Sequence, residues 1–68
     1  MTLGERIAYY RKKAGYSQEG LAEQLNVSRQ AISKWETGEA TPDAERIIAL
    51  AAGLGIYTDT LLLGKEEP

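Results

Sequence analysis

Ser17-Gln18-Glu19-Gly20-Leu21-Ala22-Glu23-Gln24-Leu25-Asn26-Val27-Ser28-Arg29-Gln30-Ala31-Ile32-Ser33-Lys34-Trp35-Glu36-Thr37-Gly38 is the stretch that decides how this chain folds. It holds two helix starts and two helix stops. Ser17 can cap a first helix, with Gln18 and Glu19 in a first turn whose dipole suits an anion. Leu21, Ala22 and Leu25 face inward, and Asn26 falls where that helix must end. After glycine, asparagine is the residue that best tolerates left-handed backbone. Ser28 caps a second helix, expected from about Arg29 to Glu36, which turns Ala31, Ile32 and Trp35 to the core and stops at Gly38. Two short helices joined by a few residues around Asn26, with the small Ala22 where the second crosses the first, have the geometry of a helix-turn-helix. Gly20 has no comparable reason in the sequence; inside a helix it costs about 1 kcal/mol relative to alanine.

The positions left facing outward on the second helix are Ser28, Arg29, Gln30, Ser33 and Lys34. None is acidic. Arginine matches the O6/N7 edge of guanine and glutamine the N6/N7 edge of adenine, so these types on an exposed helix point to reading of the DNA major groove.

The flanking segments supply three more helices. Thr2-Leu3-Gly4-Glu5 fits a capping box. Leu3, Ile7, Tyr10 and Ala14 follow as an apolar stripe, and Gly15 ends the helix. Beyond Gly38, Thr41-Pro42 reads as a cap followed by the first residue of helix 4, where a missing N–H does no harm. Ile47, Leu50, Ala51 and Leu54 form its inner face, and Gly55 stops it. A short helix 5 is expected from Asp59 to Leu63, capped at Thr58. The pattern predicts an all-α, compact five-helix bundle forming one domain over residues 1–64, with residues 65–68 a disordered polar tail.

Composition narrows the function classes. The chain has 68 residues with no cysteine and no histidine, which removes disulfides and the usual zinc ligands and leaves no metal site to expect. No cofactor motif is present. Without a histidine or cysteine nucleophile system, and with no catalytic grouping among the acids and hydroxyls, an enzyme is not expected. No apolar run approaches the roughly 20 residues of a membrane span. The start lacks the pattern of a signal peptide, so a cytoplasmic protein with no membrane association is expected. The net charge of −2 and pI near 5.0 argue against a nucleic-acid partner until the distribution is considered. Residues 1–34 carry six basic and three acidic residues, and residues 35–68 two basic and seven acidic. A positive face can exist on this acidic chain.

The run from Ser17 to Gly38, with its pattern S-Q-x-x-L-A-x-x-L-x-V-S-x-x-x-I-S-x-W-E-x-G, resembles the Xre-type helix-turn-helix family of phage repressors, Cro proteins and bacterial regulators. The similarity extends over about residues 3–63. It implies a lambda-repressor-like DNA-binding domain in a transcriptional regulator, a repressor in the first instance. In that frame Gln18 and the amides at the start of helix 2 clamp a phosphate, Arg29 and Gln30 read bases, and Ser28, Ser33 and Lys34 contact bases or backbone. Arg11 and Glu36 match a pair that links helix 1 to the end of helix 3. The chain departs from the family at Gly38-Glu39-Ala40-Thr41, a loop that often carries bases for the phosphate backbone and here carries an acid. One such domain spans too few base pairs for specificity, so a homodimer on a palindromic operator is expected. Helix 3 must stay free for DNA, which leaves the apolar C-terminal residues Ile56, Tyr57, Leu61 and Leu63 as the expected dimer surface. The alternative is a protein-interaction or antitoxin-like adaptor module on the same fold, supported by the acidic C-terminal half.

Overall fold

Five helices form, most of them between the starts and stops read from the sequence, in a computed structural model that describes residues 1–65. The helices are α1 (Leu3–Lys13), α2 (Gln18–Leu25), α3 (Arg29–Thr37), α4 (Ala44–Leu54) and α5 (Thr58–Leu63), and no strand forms among the described residues. Thr2 and Glu5 close the capping box at the head of α1 with reciprocal bonds of 2.8 and 3.1 Å. The Thr2 backbone N–H donating to it holds the Glu5 carboxyl below its usual range. Ser17 caps α2 by accepting from the Gly20 N–H at 2.9 Å, and Ser28 caps α3 by accepting from the Ala31 N–H at 3.1 Å. The stops are left-handed residues: Asn26 has φ 57°, the one non-glycine residue at positive φ among those described. The turn it makes is closed by the Val27 N–H donating to the Ala22 carbonyl at 3.0 Å.

Several boundaries differ from the sequence-based expectation. Thr41 does not cap α4 and Pro42 is not its first residue. Asp43 takes the cap position, its carboxylate accepting from the Arg46 N–H at 2.9 Å, and α4 begins at Ala44. Pro42 lies buried just ahead of the helix instead. Aspartate is as strong a cap as any residue, and it won over the threonine two positions earlier. α5 begins at Thr58, one residue before the expected start, so Thr58 is its first residue and Tyr57 holds the cap position. α3 runs one residue past Glu36. Ala14 is exposed and does not extend the apolar stripe of α1. Residues 66–68, most of the tail expected to be disordered, lie outside the described residues.

A single core joins the helices: Ile7 from α1, Leu21 and Ala22 from α2, Ile32 and Trp35 from α3, Leu50, Ala51 and Leu54 from α4 and Leu61 from α5. Trp35 is 8% exposed and is a core residue, which excludes it as a stacking platform. α3 packs on both α1 and α2, and α4 bridges α2 and α5. Burial of a leucine or isoleucine contributes on the order of 1.5–3 kcal/mol, so the ten buried hydrophobic side chains are the main source of stability. One glycine is needed for packing. A Cβ on Gly4 would lie 2.5 Å from the carbonyl oxygens of both Trp35 and Glu36, so α1 touches the end of α3 backbone to backbone. A Cβ on Gly20 would lie 3.2 Å from the Ser17 hydroxyl that caps α2, a tight contact with a side chain that has room to give.

Candidate nucleic-acid interface

α3 buries Ile32 and Trp35 and thereby fixes what it shows to solvent. Arg29, Gln30 and Lys34 are exposed, and Ser33 is half-buried beside them. At 3.6 residues per turn Gln30, Ser33 and Lys34 are neighbours on one face, and Arg29 lies one turn before Ser33. Ser28 is exposed, but its hydroxyl is already engaged in capping. Arg29 lines a shallow hollow of about 220 Å³ with Glu19, Ala22, Glu23 and Val27, so its near surroundings on α2 include two carboxylates. Among the described residues it forms no ion pair with either.

The acid at the end of α3 points the other way. Glu36 receives Arg11 Nε at 2.6 Å and Arg11 Nη2 at 3.2 Å, a two-pronged ion pair whose side chains are 11% and 8% exposed. Arg11 spends Nη1 on the Tyr16 carbonyl, at 2.9 Å, just before the cap of α2. Gln18 is half-buried, and its Nε2 donates to Glu36 Oε1 at 3.0 Å. Three helices therefore meet at one carboxylate. The outward face of α3 is left without a negative charge, because its one acid is paired inside.

The loop after α3 folds back on that helix, with the Ala40 N–H donating to the Lys34 carbonyl at 3.2 Å. Glu39 is exposed on it. The N-terminus of α4 that follows is already occupied by the Asp43 carboxylate, with Glu45 in the first turn. This edge of the molecule is acidic.

The four residues expected on a dimer surface do not share one environment. Leu61 is fully buried in the core and is withdrawn from that surface: a six-residue helix has one inward face, and Leu61 shares it with Thr60. Ile56 is half-buried and packs against the core. Tyr57 and Leu63 are exposed, at 58% and 60%, and Leu62, which the sequence reading did not include, is 43% exposed. Two further residues escaped the sequence reading. Gly4 sets the approach of α1 to α3, and its only signal was a glycine in the first turn of a helix. Arg6 donates to the Met1, Leu61 and Leu62 carbonyls and so ties α1 to the end of α5. Nothing in the sequence marks a partner 55 positions away.

Comparison with known proteins follows the same outline. A family model described as helix-turn-helix matches residues 7–61. The HTH-type transcriptional regulator DicA of Escherichia coli (strain K12) is 36% identical over 67 residues, covering 98% of this chain and 50% of that protein. The Repressor protein C2 of Salmonella phage P22 is 42% identical over 62 residues, covering 91% of this chain and 29% of that repressor. The chain thus spans half or less of the length of these curated relatives. Among solved structures, the P22 c2 repressor in complex with a synthetic operator superposes with a TM-score of 0.89 at 40% identity, covering 96% of this chain and 98% of that one.

Proposed function

The chain belongs to the helix-turn-helix family whose model spans its residues 7–61, and from that premise we propose that residues 1–64 are the duplex-DNA-binding domain of a cytoplasmic transcriptional regulator, a repressor. α3 lies in the major groove. Arg29 and Gln30 contact base edges; Ser33 and Lys34 contact bases or the adjoining backbone; Ser28 serves first as a cap. Gln18 and the amides at the start of α2 take a phosphate, since the positive end of a helix dipole and its unpaired N–H groups favour an anion. Two copies bind a palindromic operator whose half-sites lie about 34–36 Å apart. The observation that carries the reading is the outward face of α3: Arg29, Gln30 and Lys34 are exposed together, and Glu36 of the same helix is turned inward onto Arg11.

Selection of bound sequences from a random duplex pool at fixed salt concentration tests it. A recovered motif of two inverted half-sites is the expected result. A pool that binds without any shared motif would overturn the specific reading. A second reading, an adaptor that binds a basic protein surface, is favoured by the acidic edge formed by Glu39, Asp43 and Glu45. Under that reading no duplex is shifted at any salt concentration.

A further inference from the structure

We propose that Glu36 is a positioning residue for DNA binding, acting through Gln18, and that the Arg11–Glu36–Gln18 cluster holds the phosphate-binding end of α2 in register with the base-reading face of α3. The proposal rests on the DNA-binding reading above and deepens it. Its observations are local. Glu36 Oε1 accepts from Gln18 Nε2 at 3.0 Å, and the same carboxylate is held by Arg11 at 2.6 and 3.2 Å. Arg11 also donates to the Tyr16 carbonyl at 2.9 Å. The first turn of α2 is therefore held on both sides of Ser17, at Tyr16 by Arg11 and at Gln18 by Glu36.

The chemistry of the groups decides how Gln18 can be used. An ionised carboxylate only accepts, so Gln18 must present its nitrogen, not its carbonyl oxygen, to Glu36. That choice fixes which way round the amide lies. Nε2 carries two N–H groups, and the second takes no acceptor among the described residues. A phosphate oxygen is also an acceptor only, so one amide nitrogen can serve both anions. A freely turning glutamine would spend part of its time with the carbonyl oxygen toward the phosphate; the bond to Glu36 disfavours that orientation. Arg11 neutralises Glu36, so the phosphate meets a polar, uncharged cluster. Glutamate at position 18 would set two carboxylates together, and lysine there would compete with Arg11 for Glu36.

A double-mutant cycle in the full chain tests the proposal. Parent, Gln18→Ala, Glu36→Ala and the double variant are titrated with the selected operator and with an unrelated duplex, at a temperature where circular dichroism shows all four folded. Gln18→Ala is expected to weaken both duplexes alike by about tenfold for each bound subunit, the lower end for a hydrogen bond to a charged group. Glu36→Ala is expected to lose as much, and the double variant to fall no more than about twofold below Glu36→Ala. Where Glu36→Ala does not fold, Glu36→Asp replaces it: the charge stays for Arg11 and the shortened side chain withdraws the acceptor from Gln18. Losses that multiply, or a Gln18→Ala variant that binds as the parent does, would overturn the positioning role. A parent chain that binds no operator would overturn the DNA-binding reading, and the proposal with it. A parent that binds selectively while the losses multiply would leave that reading standing and remove only this one.

Discussion

At the residue scale, the side chains on the interface divide by what they can discriminate. Arg29 is exposed near the start of α3 and carries a planar fork suited to guanine. Arg29→Ala is expected to lose about 1–3 kcal/mol on the best operator and to relax preference at one base position. Binding of a set of operators with single base changes checks this; an equal loss on every sequence would assign Arg29 to the backbone. Glu36 makes a different kind of contribution. Its side chain is 8% exposed and its partner Arg11 is nearly as buried. Removing one member of a buried pair leaves the other charged and uncompensated, so Glu36→Ala is expected to destabilise the domain by about 3–5 kcal/mol. Urea unfolding measures it, and a loss below about 1 kcal/mol would show that water reaches the pair and relieves Arg11. The pair was legible in the run ending Trp35-Glu36 because a family resemblance pointed to it. The bond from Gln18 was not, since the sequence records neither the distance nor the direction of that side chain.

At the element scale, two junctions set how α3 is presented. The first is Gly4 against the last carbonyls of α3. Glycine to alanine inside a helix ordinarily stabilises by about 1 kcal/mol. Here the new methyl carbon would lie 2.5 Å from two carbonyl oxygens, and backbone cannot move aside as a flexible side chain can. Gly4→Ala is therefore expected to destabilise by about 1–3 kcal/mol, the sign opposite to helix propensity. A rise in the unfolding midpoint would mean that α1 stands further from α3 than this structure has it. The second junction is the loop between α3 and α4. It supplies no cation, and Glu39 is exposed on it. With about two cationic contacts per subunit, from Lys34 and one of Lys12 and Lys13 in the last turn of α1, log K against log salt for a dimer is expected to have a slope of roughly −3 to −5. Glu39→Lys should tighten binding to all sequences and steepen that slope by up to about 2 per dimer. Unchanged affinity of Glu39→Lys across a salt series would show that the loop stays clear of the phosphates.

At the scale of the whole molecule, the charge is divided between a basic N-terminal half and an acidic C-terminal half. The basic half carries α3, the helix proposed to face the duplex, while Tyr57, Leu62 and Leu63 leave apolar surface at the far end of the chain, next to the Arg6 tie. The dimer surface proposed there no longer includes Leu61. Tyr57→Asp is expected to weaken self-association and cooperative binding to a two-half-site operator while the monomer stays folded. Sedimentation equilibrium checks it, and a parent chain that remains monomeric at high concentration, with the variant no different, would place the pairing surface elsewhere.

The five helices, the turn at Asn26 and the outward residues of α3 were legible along the chain, because these depend on interactions only a few positions apart. A serine three residues before the amide it caps, or an asparagine at the end of a helix, acts the same way wherever the helix sits. The apolar period of a long helix also names its inner face, as at Ile47, Leu50, Ala51 and Leu54. Which of Leu61, Leu62 and Leu63 lies inside depends on how the helices pack, since three consecutive leucines carry no period to choose between them. Packing likewise sets that Arg6 holds the end of α5 and that Gly4 must have no side chain; the cap of α4 at Asp43 is local, a contest between two nearby cap residues that the stronger one won. The contacts of Arg6 and Gly4 join residues far apart in the chain, and those groups meet only when the helices cross at one angle and one separation. No local preference contains that angle; the packing of the shared core sets it.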